Sequence, residues 1–192
     1  MRSSQNQIRT FICLELPKDI QKTIDNGLTE PLRKTSARCS FVKPGNLHLT
    51  LKFLGDIDPS EIDHISGEIL ESIRGYPPFK LSLSKVGSFG GHTPRVVWAG
   101  LDGEIMRLGE VASNIDKALA KLGFKKEKRA FKPHLTVARV RDNQRSDELL
   151  RIIREVGSLT GDFTADKIIF MKSKLSSGGS IYEPLAEFPL LA

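Results

Sequence analysis

The sequence predicts an α+β fold of two pseudo-symmetric lobes, each an antiparallel sheet flanked by helices, with a central cleft between them. Three observations carry this. A histidine-bearing strand, then a helix, then a pair of strands occurs twice along the chain, which reads as a duplicated plan, at a period too long for a solenoid. The strand pairs are joined by glycine-rich turns, a long loop at Gly87 to Pro94 and a short one at Ser176 to Gly179, which suggests antiparallel neighbours. Finally, 192 residues at 39% hydrophobic and 27% charged content suffice for one globular unit with its own core, so residues 1–192 read as a single two-lobed domain.

Taken in order, Ile8 to Leu16 (IRTFICLEL) is a short apolar run closed by Pro17, a buried strand. Asp19 to Leu32 has helical character, and Ser40 to Val42 forms a second short strand. Leu47 to Leu54 alternates, with Leu47, Leu49, Leu51 and Phe53 on one face and His48, Thr50 and Lys52 on the other. Asp58-Pro59-Ser60-Glu61 opens a helix, with Asp58 as N-cap, Pro59 at its first position and a stripe of Ile62, Ile65, Ile69 and Ile73 ending at Gly75. Phe79 to Val86 and Arg95 to Ala99 make a hairpin around the turn Gly87 to Pro94. Glu104 to Leu122 is an amphipathic helix closed by Gly123. Phe131 to Val140 is the next strand, Asp147 to Val156 a helix, and Phe163 to Met171 with Ile181 to Phe188 a final pair turning at Ser176-Ser177-Gly178-Gly179.

Composition narrows the setting. Cys13 and Cys39 lie outside any CxxC pair, which suits reduced thiols in a cytoplasmic protein. No run reaches the length of a membrane span, and Met1 to Thr10 lacks a signal-peptide core. The formal charge of +6 is concentrated: Lys121 to Arg145 holds nine basic and two acidic residues, so the rest of the chain is near neutral. A local excess of this kind suits an anionic partner such as phosphate, or a solvated charged loop.

Two of the four histidines share a pattern, His48-Leu49-Thr50 and His134-Leu135-Thr136, with Phe41-Val42-Lys43-Pro44 before the first and Phe131-Lys132-Pro133 before the second. On a strand, residues i and i+2 share a face about 6 to 7 Å apart, so each imidazole has a hydroxyl beside it. Imidazole titrates near neutral pH, so one neutral and one protonated histidine can act as base and acid at a cyclic phosphodiester without metal, while Thr50 and Thr136 donate to its oxygens. Zinc lacks support: there is no HExxH, no clustered Cys, and no Asp beside either histidine. Gly87 to Gly91 lacks the lysine of a phosphate loop and reads as a turn. His64 reads as a surface histidine and His92 as a turn residue; of Phe11, Phe41, Phe131 and Trp98, one is expected to stack on a base and the rest to be core.

These residues, with RTFICLELP, NLHLTLKFLGDI, PRVVWAG, KLGF, FKPHLTVARV and IYEPLAEF, make the chain resemble the RNA 2′,3′-cyclic phosphodiesterases of the 2′-5′ RNA ligase family, in the superfamily defined by two HxTx motifs. The resemblance spans nearly the whole chain. It implies metal-independent opening of an RNA-terminal 2′,3′-cyclic phosphate to a 2′-phosphate, with no cofactor. It also implies His48 as proton donor to the leaving 3′ oxygen, His134 as proton acceptor for water, and Thr50 and Thr136 as phosphate-holding residues. Arg139, in the HxTxxR position, is implied as a further phosphate contact. An ideal strand puts it on the face opposite His134, so the role requires the strand to bulge or end after Val137. The expected partner is an RNA or nucleotide with a cyclic end, and the expected state a monomer away from membranes. Three alternatives share these residues: ligation forming 2′-5′ linkages, hydrolysis of a small cyclic nucleotide ester, and RNA binding without catalysis.

Overall fold

The computed structural model describes residues 6–142, 146–176 and 179–192; Ser177 and Gly178 of the expected last turn, and Arg145 of the basic segment, lie outside them. The strands are β1 (Ile8–Glu15), β2 (Cys39–Phe41), β3 (His48–Ile57), β4 (Phe79–Phe89), β5 (Val96–Gly103), β6 (His134–Val140), β7 (Asp162–Ala165), β8 (Lys167–Ser176) and β9 (Gly179–Pro189). They form one antiparallel sheet in the order β7-β4-β5-β6-β3-β1-β8-β9, with β2 beside β6. The helices are α1 (Lys18–Ile24), continued through a π-helical turn into α2 (Glu30–Arg33), then α3 (Ile62–Ser72), α4 (Ile105–Lys121) and α5 (Ser146–Val156).

The sheet divides into two four-stranded halves, β7-β4-β5-β6 and β3-β1-β8-β9, which meet where Leu49 of β3 pairs with Leu135 of β6. The duplication is interleaved. One repeat runs β1, α1, β3, α3, β4 and the other β5, α4, β6, α5, β8, and the last strand of each joins the other repeat's half: β4 pairs with β5, and β8 with β1. The expected strand Phe163 to Met171 is therefore two strands. Ala165 pairs with Phe79 in one half and Lys167 with Pro189 in the other, with Asp166 between them. Hydrophobic periodicity records which face a residue takes but not which neighbour its strand chooses, so a change of partner is invisible to it.

The helices cover one face of the sheet and enclose the main core. Leu108, Val111, Ile115 and Leu119 of α4 are fully buried at the expected spacing. The start of α3 is built as the sequence suggests, through a short 3₁₀ turn: the Asp58 carboxylate accepts from the Ser60 N–H at 2.9 Å and Glu61 accepts from the Asp58 N–H at 3.0 Å.

The alternation read for β3 fails halfway along. Cys13 of β1 pairs with Thr50 and Ile12 with Lys52, leaving Leu51 as an extra, bulged residue. Leu47, Leu49 and Leu51 are buried as expected, but beyond the bulge the faces exchange: Lys52 turns inward at 7% exposure and Phe53 outward at 66%. The same device recurs in β6, where Trp98 pairs with Thr136 and Val97 with Ala138, so Val137 is the extra residue. Leu135, Val137 and Ala138 are all buried, and Arg139 is exposed.

Candidate active site

Antiparallel pairing of Leu49 with Leu135 sets His48 across from Thr136 and Thr50 across from His134. Both leucines are fully buried on the helix-covered face, so the two histidines and two threonines share the other face, around the pseudo-twofold axis of the sheet. The paired bulges add one residue from each strand to this face. After Val137 it is Arg139; at the equivalent position after Leu51 it is Phe53. The bulge that Arg139 needed to face the histidines is thus present.

Each histidine is fixed in the same way. His48 Nδ1 lies 2.8 Å from the Asn46 carbonyl and His134 Nδ1 lies 2.7 Å from the Lys132 carbonyl. A carbonyl only accepts, so in both rings Nδ1 carries the proton and Nε2 is the working nitrogen. His48 Nε2 sits 3.1 Å from Thr50 Oγ1, positioned to accept from that hydroxyl. The local chain explains the first arrangement: β2 and β3 both run along β6, and the 3₁₀ turn Pro44–Asn46 that interrupts them presents its last carbonyl to the ring. The Asn46 side chain donates to the Ser180 carbonyl at 2.7 Å, tying the β8–β9 hairpin to that turn.

Aromatic rings surround both imidazoles. The His48 ring lies 4.8 Å from Phe11 and 5.2 Å from Tyr182, the latter edge-on, and Phe53 lies 6.1 Å from Phe11. Beneath them Phe11, Cys13, Ile169 and Met171 form a second small core on the site face. His134 meets Phe89 edge-on at 4.9 Å, and Phe89 packs against Trp98 at 5.5 Å. Gly87, the β4 partner of Trp98, makes room for the indole, because a Cβ there would collide with the ring. Burial of His48 holds its imidazole below the usual 6.5, partly opposed by the Asn46 carbonyl. Burial also pushes the Cys13 thiol far up, so it is inert packing rather than a nucleophile.

Behind β3, buried Lys52 donates to Asp116 of α4 at 2.5 Å and to the Lys125 carbonyl at 2.9 Å, while Asp116 also accepts from the Glu127 N–H at 3.2 Å. Burial pushes the Asp116 carboxyl up, but the Lys52 ammonium and the Glu127 N–H more than offset it, leaving it below its ordinary value. This pair secures the irregular segment that runs from α4 into Lys132 and His134. Among the described residues no group of three or more His, Cys, Asp and Glu is placed to hold a metal ion.

Residues 18–176 match the model of the 2′-5′ RNA ligase superfamily. The chain belongs to the 2′-5′ RNA ligase superfamily. Its superfamily relatives include proteins named RNA 2′,3′-cyclic phosphodiesterase from Methanothermobacter thermautotrophicus, 30% identical over 96% of this chain and 100% of that protein, and from Archaeoglobus fulgidus, 34% identical over 94% and 99%. Among solved structures, TT0787 of Thermus thermophilus matches with a TM-score of 0.77 at 25% identity, covering 95% of this chain and 98% of that one. E. coli LigT complexed with 3′-AMP shares the fold at the same TM-score and 24% identity, over 97% and 100% of the two chains.

His64 and His92 are exposed. Phe11 and Trp98 are on the site face, whereas Phe41 lies under the Arg33 guanidinium at 5.4 Å and Phe131 lines a hollow of about 430 Å³ beside α4. Sequence reasoning missed Phe53, Tyr182 and Phe89. Only Phe53 had a usable signal: superposing the two motifs puts it where the second motif has Arg139, and so on whichever face Arg139 takes.

Proposed function

We propose that this chain is an RNA 2′,3′-cyclic phosphodiesterase, a hydrolase that opens the terminal cyclic phosphate to a 2′-phosphomonoester by histidine acid–base catalysis without a metal ion. The observation that carries the reading is the Leu49–Leu135 register, which gathers two imidazoles and two hydroxyls on one face about a twofold axis. The names of the relatives and the family match support the substrate class.

In the proposed reaction His134 Nε2 takes a proton from water as its oxygen attacks phosphorus, and the P–O3′ bond breaks. The departing 3′ oxygen takes its proton from His48 Nε2–H, leaving the 2′-phosphate. Thr50, Thr136 and Arg139 bind the non-bridging oxygens, where charge builds up in the transition state. Burial favours neutral His48 in the free protein, and the phosphodiester anion supplies the charge that favours its imidazolium. Substrate thus helps to protonate its own acid. After each turnover the two rings hold the opposite proton states and reset through solvent.

The test is turnover of a 2′,3′-cyclic phosphate nucleotide and a short RNA with the same end, in excess chelator, by the wild type and by His48→Ala and His134→Ala. Each variant is expected to lose about 10²- to 10⁴-fold in kcat, with a bell-shaped pH profile for the wild type. Undiminished turnover in either variant, loss of wild-type activity in chelator, or a flat profile between pH 5 and 9 would refute the mechanism. Including an RNA acceptor with a free 5′-OH separates hydrolysis from ligation by product.

A further inference from the structure

We infer that the site face of β6 beyond Thr136, with Arg141 as its outer contact, is a cationic rail that holds backbone phosphates of the RNA strand on the 5′ side of the cyclic end. This deepens the proposed function and rests on it. The bulge at Val137 turns Arg139 to the site face, and Arg141, just past the end of β6, reaches back toward the same face through Ser40. Arg141 is held there. Its Nε donates to Ser40 Oγ at 2.6 Å, and Ser40 is the β2 residue paired with Arg139. Arg38 adds a third guanidinium: its carbonyl accepts the Arg141 N–H at 2.7 Å, and its side chain, 80% exposed, meets Asp142 only at 3.6 Å.

The other half-sheet differs. The equivalent run of β3, after His48 and Thr50, continues with Phe53 and is backed by Phe11 and Tyr182. After the bulge, β3 thus carries an aromatic ring where β6 carries guanidinium groups, although Phe89 and Trp98 also flank His134 from β4 and β5. A nucleotide with a 2′,3′-cyclic end can extend only through its 5′ oxygen, so the next anions of a longer RNA are the phosphates on that side. Rings suit the terminal base and the rail suits the chain that leads away from it. A single cyclic nucleotide reaches Arg139 but has no phosphate for Arg141.

The experiment compares a nucleoside 2′,3′-cyclic monophosphate with a hexanucleotide RNA bearing the same end, using wild type, Arg141→Ala and, as an equal loss of charge on exposed α5, Arg154→Ala. Arg141→Ala is expected to lower kcat/KM for the hexanucleotide about five- to tenfold through KM, to reduce its salt slope by about 0.7, and to leave the mononucleotide within twofold. Arg154→Ala is expected to change neither. Equal losses on both substrates, no loss on the hexanucleotide, or the same loss in Arg154→Ala would overturn the rail. Fluorescence anisotropy of the labelled hexanucleotide reads the same contact without turnover. Weaker binding by Arg141→Ala alone supports the rail even if no cyclic phosphate is hydrolysed, and equal binding by both proteins refutes it.

Discussion

His48 links stability to pH because it is half-buried and its imidazole is held below the usual 6.5 by desolvation. The unfolded chain then binds more protons than the folded one as pH falls through the usual imidazole value, so the contribution is intact above about 6.5 and is lost on acidification toward the lowered folded value. Urea unfolding between pH 7.5 and 5 should show this decline, and His48→Gln should flatten it; an unchanged pH slope in the variant would count against the half-buried, neutral ring. Phe53 makes the opposite kind of prediction. At 66% exposure it contributes little to the core, so Phe53→Ala should barely move the melting temperature. If the terminal base stacks there, KM for the cyclic nucleotide should rise by about 5- to 100-fold, the range of one stacking contact.

At the scale of elements, the two bulges do the work. A regular β3 would bury Phe53 and expose Lys52, and a regular β6 would send Arg139 into the core. By inverting the faces after Leu51, the first bulge also brings Lys52 inward to Asp116 and the Lys125 carbonyl, so a residue of the first motif strand anchors the segment leading to the second histidine. Lys52→Met leaves the partly exposed Asp116 and that carbonyl without their partner. It should cost about 1 to 2 kcal/mol in chemical denaturation, more than any exposed lysine on the same surface. Lys128→Met, an exposed change in the same segment, is the comparison; equal losses would show that the Lys52–Asp116 pair contributes nothing special.

The whole molecule is tied together by long-range pairing. β4 to β7 form a contiguous half-sheet, but the other half joins β1 and β3 to β8 and β9 from the far end of the chain, and Cys13 finds Ile169. Neither half closes without a strand donated by the other repeat. Thermal unfolding should therefore be a single cooperative transition, and a chain ending at Ala165, which lacks β8 and β9, should lose it as seen by near-ultraviolet circular dichroism. Survival of a sharp transition in that truncation would show that the contiguous half is a folding unit by itself. No helix among the described residues is long and apolar enough to cross a membrane.

The sequence by itself determined the repeated HxT strands, the strand and helix inventory apart from the break between β7 and β8, the Asp58 cap and the concentration of positive charge, because each is written in local spacing and composition. It also named His48, His134, Thr50 and Thr136 as sharing a face within each strand. Only the tertiary structure decided that Leu49 meets Leu135, which crosses each histidine with the other motif's threonine, and that the strand read from Phe163 to Met171 is shared between two half-sheets. It alone put Arg139 and Phe53 on the site face and Lys52 in the interior. The reason is common to all of these. A bulge or a choice of partner is fixed by hydrogen bonds to a strand far away in sequence, and one inserted residue reverses every face that follows it.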